Sequence, residues 1–197
     1  YSLIEMTSAG TSLPFELLHA EMVLYAEERG REREEDRKKL LESGLEDEKL
    51  VTRAFAHNAE WLVFQHNSMT YLEGVGWRVG YVMGEKVSRD VPKLATELEL
   101  MKFICKELWN NCFGKQVDNL RTNHQGVYVM HDNHFITVAP FAGDSGYLDK
   151  SSSFLAFPCG LVRGALAALS INAIVTTTVE TLPQVKFHIQ IQGKSSK

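Results

Sequence analysis

His124, His131, Asp132 and His134 fall within one short stretch of the chain, a residue set able to ligate zinc or nickel. VYVMH and HFITV flank Asp132 and Asn133, so His131 and His134 are expected to face each other at a hairpin tip. No spacing supplies a fourth ligand, and hairpin tips collect Asp, Asn and His for turn geometry alone. Cys159, in P-C-G, has the form of a thiol nucleophile but sits in the most apolar segment, where burial raises the thiol pKa and blunts reactivity. Gly74, Gly76 and Gly80 approach the dinucleotide fingerprint G-x-G-x-x-G, but Gly80 comes one residue late and no strand runs into the glycines. Arg163, alone in an apolar helix, must reach solvent or meet a carboxylate or carbonyl, in this chain or on another subunit. No P-loop, G-x-S-x-G, H-E-x-x-H or carboxylate pair occurs. A non-enzyme is expected, with no catalytic, cofactor-binding or metal residues.

The elements that position these residues are legible from periodicity. Leu17, Leu18, Met22 and Tyr25 have helical spacing, which predicts a first helix over 13–25 with Ser12 as N-cap. From Glu27 to Lys49 follow ten acidic and seven basic residues with few apolar ones, expected to form a solvated helical extension or a mobile insert. Leu50 to Gln65 is apolar but ragged. Met69, Leu72, Gly76, Val79 and Met83 step by three and four, a second helix running to about Lys86. Its glycines at 76, 80 and 84 recur every four residues on one face. Each costs up to ~1 kcal/mol against alanine, so something must pack closely there. Leu94 to Cys112 predicts a third helix buried on more than one side.

The runs around Asp132 and Asn133 predict a hairpin in which Val129 faces Ile136, Val127 faces Val138 and Met130 faces Phe135. Phe154 to Ile171 predicts an apolar helix with a second four-residue ridge of small residues at Ala156, Gly160, Gly164 and Ala168. Ile174 to Val179 and the alternating Val185 to Ile191 predict a closing pair of strands. The result is an α+β fold, a helical layer on a four-stranded antiparallel sheet in the order α-α-α-β-β-α-β-β.

The 197 residues suit one domain, 1–197, with a charged insert at about 27–70. A net charge of −4 without a basic stripe excludes a nucleic-acid footprint. Three cysteines without C-x-x-C fit core thiols in a reducing compartment. The first residues show no basic n-region followed by an apolar run, and Phe154 to Val179 is interrupted by Arg163, Ser170 and Asn172. A soluble, cytoplasmic chain is expected.

At KQVDNLRTNHQGVYVMHDN, taken with LEGVGWRVG, LMKFICKELW and FLAFPCGLVRGAL, the sequence closely resembles the small single-domain subunits of the TRAPP (transport protein particle) vesicle-tethering complex, on its subunit-6 branch. The resemblance covers roughly Leu13 to Tyr25 and nearly all of Leu72 to Ile191. It implies a non-enzymatic adaptor that pairs through its first two helices with another small TRAPP subunit. It also implies that the assembled complex, peripheral to ER-Golgi and Golgi membranes, supports nucleotide exchange on a Rab-type GTPase. By this resemblance Leu17, Leu18, Glu21, Met22 and Tyr25, with Gly76, Val79, Gly80 and Met83, form the partner face. One related subunit carries an acylated cysteine just before the third helix. Here Arg89, Asp90 and Val91 occupy that neighbourhood, so a core lipid is not implied. The competing expectation is a stand-alone module whose third helix and Phe154 helix line a cavity for an acyl chain.

Overall fold

The computed structural model describes residues 13–42, 68–89, 96–123, 125–143 and 145–193. Helix α1 spans Leu13–Glu42 and α2 spans Ser68–Ser88. Helix α3 runs as Glu97–Phe103, a π-helical turn Ile104–Leu108 and Trp109–Phe113. Strands β1 (Asn119–Thr122) and β2 (Val127–Asp132) follow, then α4 (Ser151–Ala168), β3 (Ala173–Thr178) and β4 (Val185–Ile191). The strands form one antiparallel sheet in the order β1-β2-β4-β3. This is the α+β architecture and element order expected. The charged run continues α1 as helix to Glu42. The remainder of the insert to residue 67, including the ragged Leu50 to Gln65, lies outside the described residues.

Local chemistry explains the boundaries of α3. Thr96 accepts from the Glu99 backbone N–H at 3.2 Å while the Glu99 carboxylate accepts from the Thr96 N–H at 3.1 Å, a reciprocal capping box. Gly114 closes the helix at φ 71°, a left-handed position that a Cβ disfavours. Between these ends Met101, Ile104, Leu108 and Trp109 are fully buried. Helix α4 is long and apolar enough to cross a membrane by length and composition, but most of it is buried inside the domain, as in a core helix.

The first predicted hairpin is incorrect. Val127–Asp132 pairs instead with Asn119–Thr122, a segment with the polarity of a loop, and on its other side with β4. Val129 therefore opposes Arg121 and His188, Val127 opposes Gln190, and Met130 opposes Leu120 and Phe187. Residues 134–138 form turns. The cause is the interior ahead of them. Phe135 is fully buried, with its ring 5.0 Å from Phe113, 5.3 Å from Phe187 and 5.6 Å from Trp109. Burying that ring is worth more than a two-stranded ladder exposed to water. Asp132 holds the departure point: its buried carboxylate accepts from Trp109 Nε1 at 2.9 Å, from Lys115 Nζ at 2.6 Å and from the His134 N–H at 3.0 Å.

The two small-residue ridges meet each other. A Cβ built on Gly76 or Gly80 would overlap the backbone carbonyls of Phe157 and Leu161, and one built on Gly160 or Gly164 would overlap those of Glu73 and Trp77. Both helices advance together through these contacts, so α2 and α4 run in the same direction with their backbones touching. Gly84 is looser, its nearest neighbours lying 3.0 Å from a built Cβ and including the Ala168 side chain. Gly80→Ala should therefore lose about 3 kcal/mol in urea unfolding, near the upper end for overpacking, and Gly84→Ala about 1 kcal/mol. Equal losses at the two positions would refute the backbone contact.

Candidate partner interface

Helix α1 is held by one face. Val23 and Ala26 are buried, Phe15 packs against Phe113 and Phe157, and His19 is 2% exposed among Phe15, Phe154 and Phe157. Positions 15, 19, 23 and 26 share one side of a 3.6-residue helix, so 17, 21, 24 and 28 must lie on the other. The outward side is apolar where a solvated helix would be polar: Leu17, Leu18, Leu24 and Tyr25 are each more than half exposed, beside exposed Glu21. Met22 is half-buried and packs against the core.

On α2 the expectation divides. Val79 is exposed and so is Val82, which the resemblance did not single out. Met83 packs against the core. Gly76 and Gly80 are buried against α4, so their assignment to the partner face is corrected: the ridge is filled within the chain because its steric complement, Gly160 and Gly164, stands on the same polypeptide. The exposed apolar residues are Leu17, Leu18, Leu24 and Tyr25 on α1 and Trp77, Val79 and Val82 on α2, Trp77 lying on a different side of its helix from the two valines. Leu24 and Val82 were legible at spacings of seven from Leu17 and three from Val79.

Chemistry is drawn away from the other candidate residues. His131 lies on the outer face of β2 opposite Asn119 and Lys186, and His134 is in the turn beyond Asp132, so the two do not face each other across a hairpin tip. His124 lies outside the described residues. Among the described residues no group of three His, Cys, Asp or Glu is placed to hold a metal ion. Asp132 already satisfies three donors. Burial pushes the Cys105 and Cys159 thiols up to about 12 and Cys112 to about 11, which keeps them protonated. The Cys159 thiol donates to the Val175 carbonyl at 3.0 Å. Arg163 meets Glu73 of α2 at 3.9 Å, an intramolecular partner that adds a polar contact to the rim of the glycine seam.

The profile described as Transport protein particle (TRAPP) component matches residues 15–192. Human trafficking protein particle complex subunit 6A is 48% identical over 127 residues, which are 64% of this chain and 80% of that protein. Zebrafish subunit 6b is 48% identical over 121 residues, 61% of this chain and 77% of that protein. Among solved structures, trafficking protein particle complex subunit 3 from Naegleria fowleri, covalently bound to palmitic acid, matches with a TM-score of 0.53 at 15% identity. That match covers 88% of this chain and 96% of that one, a likeness of fold.

The seat of α1 has a pH signature. Among the described residues His19 Nε2 has no hydrogen-bond partner, and burial lowers the imidazole pKa from 6.5 to about 4. The unfolded chain takes a proton below 6.5 that the folded chain refuses until about 4. Stability from this group is therefore whole above pH 6.5 and falls as the pH drops towards 4, by up to roughly 3 kcal/mol. His19→Phe should lose less stability than the parent between pH 7 and pH 4.5. Parallel losses in the two proteins would show that His19 is not the group responsible.

Proposed function

The chain belongs to the TRAPP component family, on its subunit-6 branch, and on that premise we propose that it is a non-enzymatic scaffold subunit whose work is done by its surfaces. In this reading the outer sides of α1 and α2 pair with another small subunit of the particle. The resulting heterodimer, cytoplasmic and peripheral to ER-Golgi and Golgi membranes, supports nucleotide exchange on a Rab-type GTPase through the assembled complex. The observation that carries the proposal is the outward stripe of α1, where Leu17, Leu18, Leu24 and Tyr25 face water on a helix otherwise anchored by its opposite side. A specific interface buries about 800 Å² per partner around apolar and aromatic anchors, and a stripe of three leucines and a tyrosine has that composition.

Leu17→Asp combined with Tyr25→Asp should abolish co-purification with the partner subunit while leaving the unfolding free energy of the isolated chain in urea within ~0.5 kcal/mol of the parent, because neither side chain is buried. Retained pairing would overturn the assignment of this face.

The acyl-chain reading draws support from the palmitate carried by the fold neighbour. Two features of this chain favour the scaffold. Its interior around α3 is filled by Trp109, Phe135, Phe187, Leu108 and Met101, and its three cysteines are held as thiols, whereas thioester formation needs a thiolate. Native mass spectrometry of the purified protein should give the mass of the bare polypeptide; a consistent fatty-acyl adduct would favour the acyl-chain module.

A further inference from the structure

The sheet turns one face to the helices, and among the described residues no element covers the other. Tyr128, Met130, Phe187 and Ile189 point inward and are buried, so the alternation of strands turns Arg121, His131, Lys186 and His188 outward. Register sets Arg121, Val129, His188 and Thr176 in one row across the sheet, and Asn119, His131, Lys186 and Thr178 in the next. Strands are ~4.8 Å apart and same-face neighbours along a strand ~7 Å apart, so Arg121, His131, Lys186 and His188 lie within about 12 Å of one another.

Their charges act on one another. His131 is held below its ordinary pKa, first by partial burial and then by Arg121, Lys186 and His188. The carboxylate acting in the opposite sense is Glu180, from the turn between β3 and β4, which pairs with Lys186. His188 Nε2 lies 2.9 Å from Thr178 Oγ1. A chain of net charge −4 thus gathers two permanent cations and two imidazoles on a single open face.

We propose that this outer sheet face docks an extended acidic segment of a protein partner, with carboxylates on alternate residues meeting the two rows. Alternate side chains of an extended chain are ~7 Å apart, the spacing of the rows themselves. Val127, Val129 and the half-exposed Ile174 supply apolar contact beside the cations. Two permanent cations fall short of the roughly four to eight Lys or Arg that adsorb a segment to an anionic leaflet. No outward Trp, Phe or Leu stands among the described residues of this face to enter a bilayer boundary. Those facts favour a polypeptide over a lipid surface. A carboxylate beside His131 favours its imidazolium form, so binding takes up a proton and tightens as pH falls.

The probe is a synthetic peptide of alternating Glu and Thr, titrated into the full chain while backbone amide shifts are followed, with a Lys-Thr peptide as control and phosphatidylcholine–phosphatidylserine vesicles in a parallel sedimentation assay. The Glu peptide should shift amides of 119–121, 127–131 and 186–190, and bind about threefold more tightly near pH 6 than near pH 7.5. Binding should weaken about tenfold in Arg121→Gln combined with Lys186→Gln, two surface changes that leave the core intact. The proposal is overturned if the Glu peptide leaves these amides unmoved, if its affinity does not respond to the double substitution, or if the vesicles bind through these residues while the peptide does not. Because the face is separate from α1 and α2, failure here leaves the pairing assignment standing.

Discussion

Backbone contact between α2 and α4 is the constraint on which the other layers depend. Glycines on both helices remove the side chains that would hold the axes apart, and the vacated spaces receive the partner helix's carbonyls. Five helical glycines forfeit on the order of 5 kcal/mol of intrinsic helix propensity. The loss is offset by dispersion and apolar burial along two helices packed without intervening side chains. Helix α4 also packs against β3, and α1 rests on α2 and on the N-terminal part of α4. The angle at which α1 presents its outer stripe is therefore set by a seam in which it takes no part.

A second anchor fixes the other end of the domain. The Asp132 carboxylate gathers an indole, an ammonium and a backbone N–H at the point where β2 ends, while Phe135 enters the cluster of Trp109, Phe113 and Phe187. A carboxylate buried at this depth is tolerated because its two oxygens accept three hydrogen bonds. The same economy governs the other interior titratable groups: the thiols stay protonated, and His19 stays neutral among aromatic rings. The surface carries two chemically distinct patches, apolar side chains on the outer helices and cations on the outer sheet.

The sequence itself determined the helices, the closing strands and the class of fold, because amphipathic period, β-branched alternation and glycine spacing are local properties of the chain. Residues 119–122 were the exception. NLRT has the polarity of a loop, and becomes a strand because β2 offers it a free edge, a long-range pairing that local propensity does not encode. HFITV failed in the opposite sense: it reads as a strand, and is bent into turns because an aromatic cluster assembled from α3 and β4 captures Phe135. The outer stripe of α1 was legible in part, through the spacing of Leu17, Leu18 and Tyr25. The glycine period announced that some backbone must approach α2. Only the tertiary structure decided that the approaching helix is α4 of the same chain, since a ridge records the shape of its complement but not the molecule that carries it.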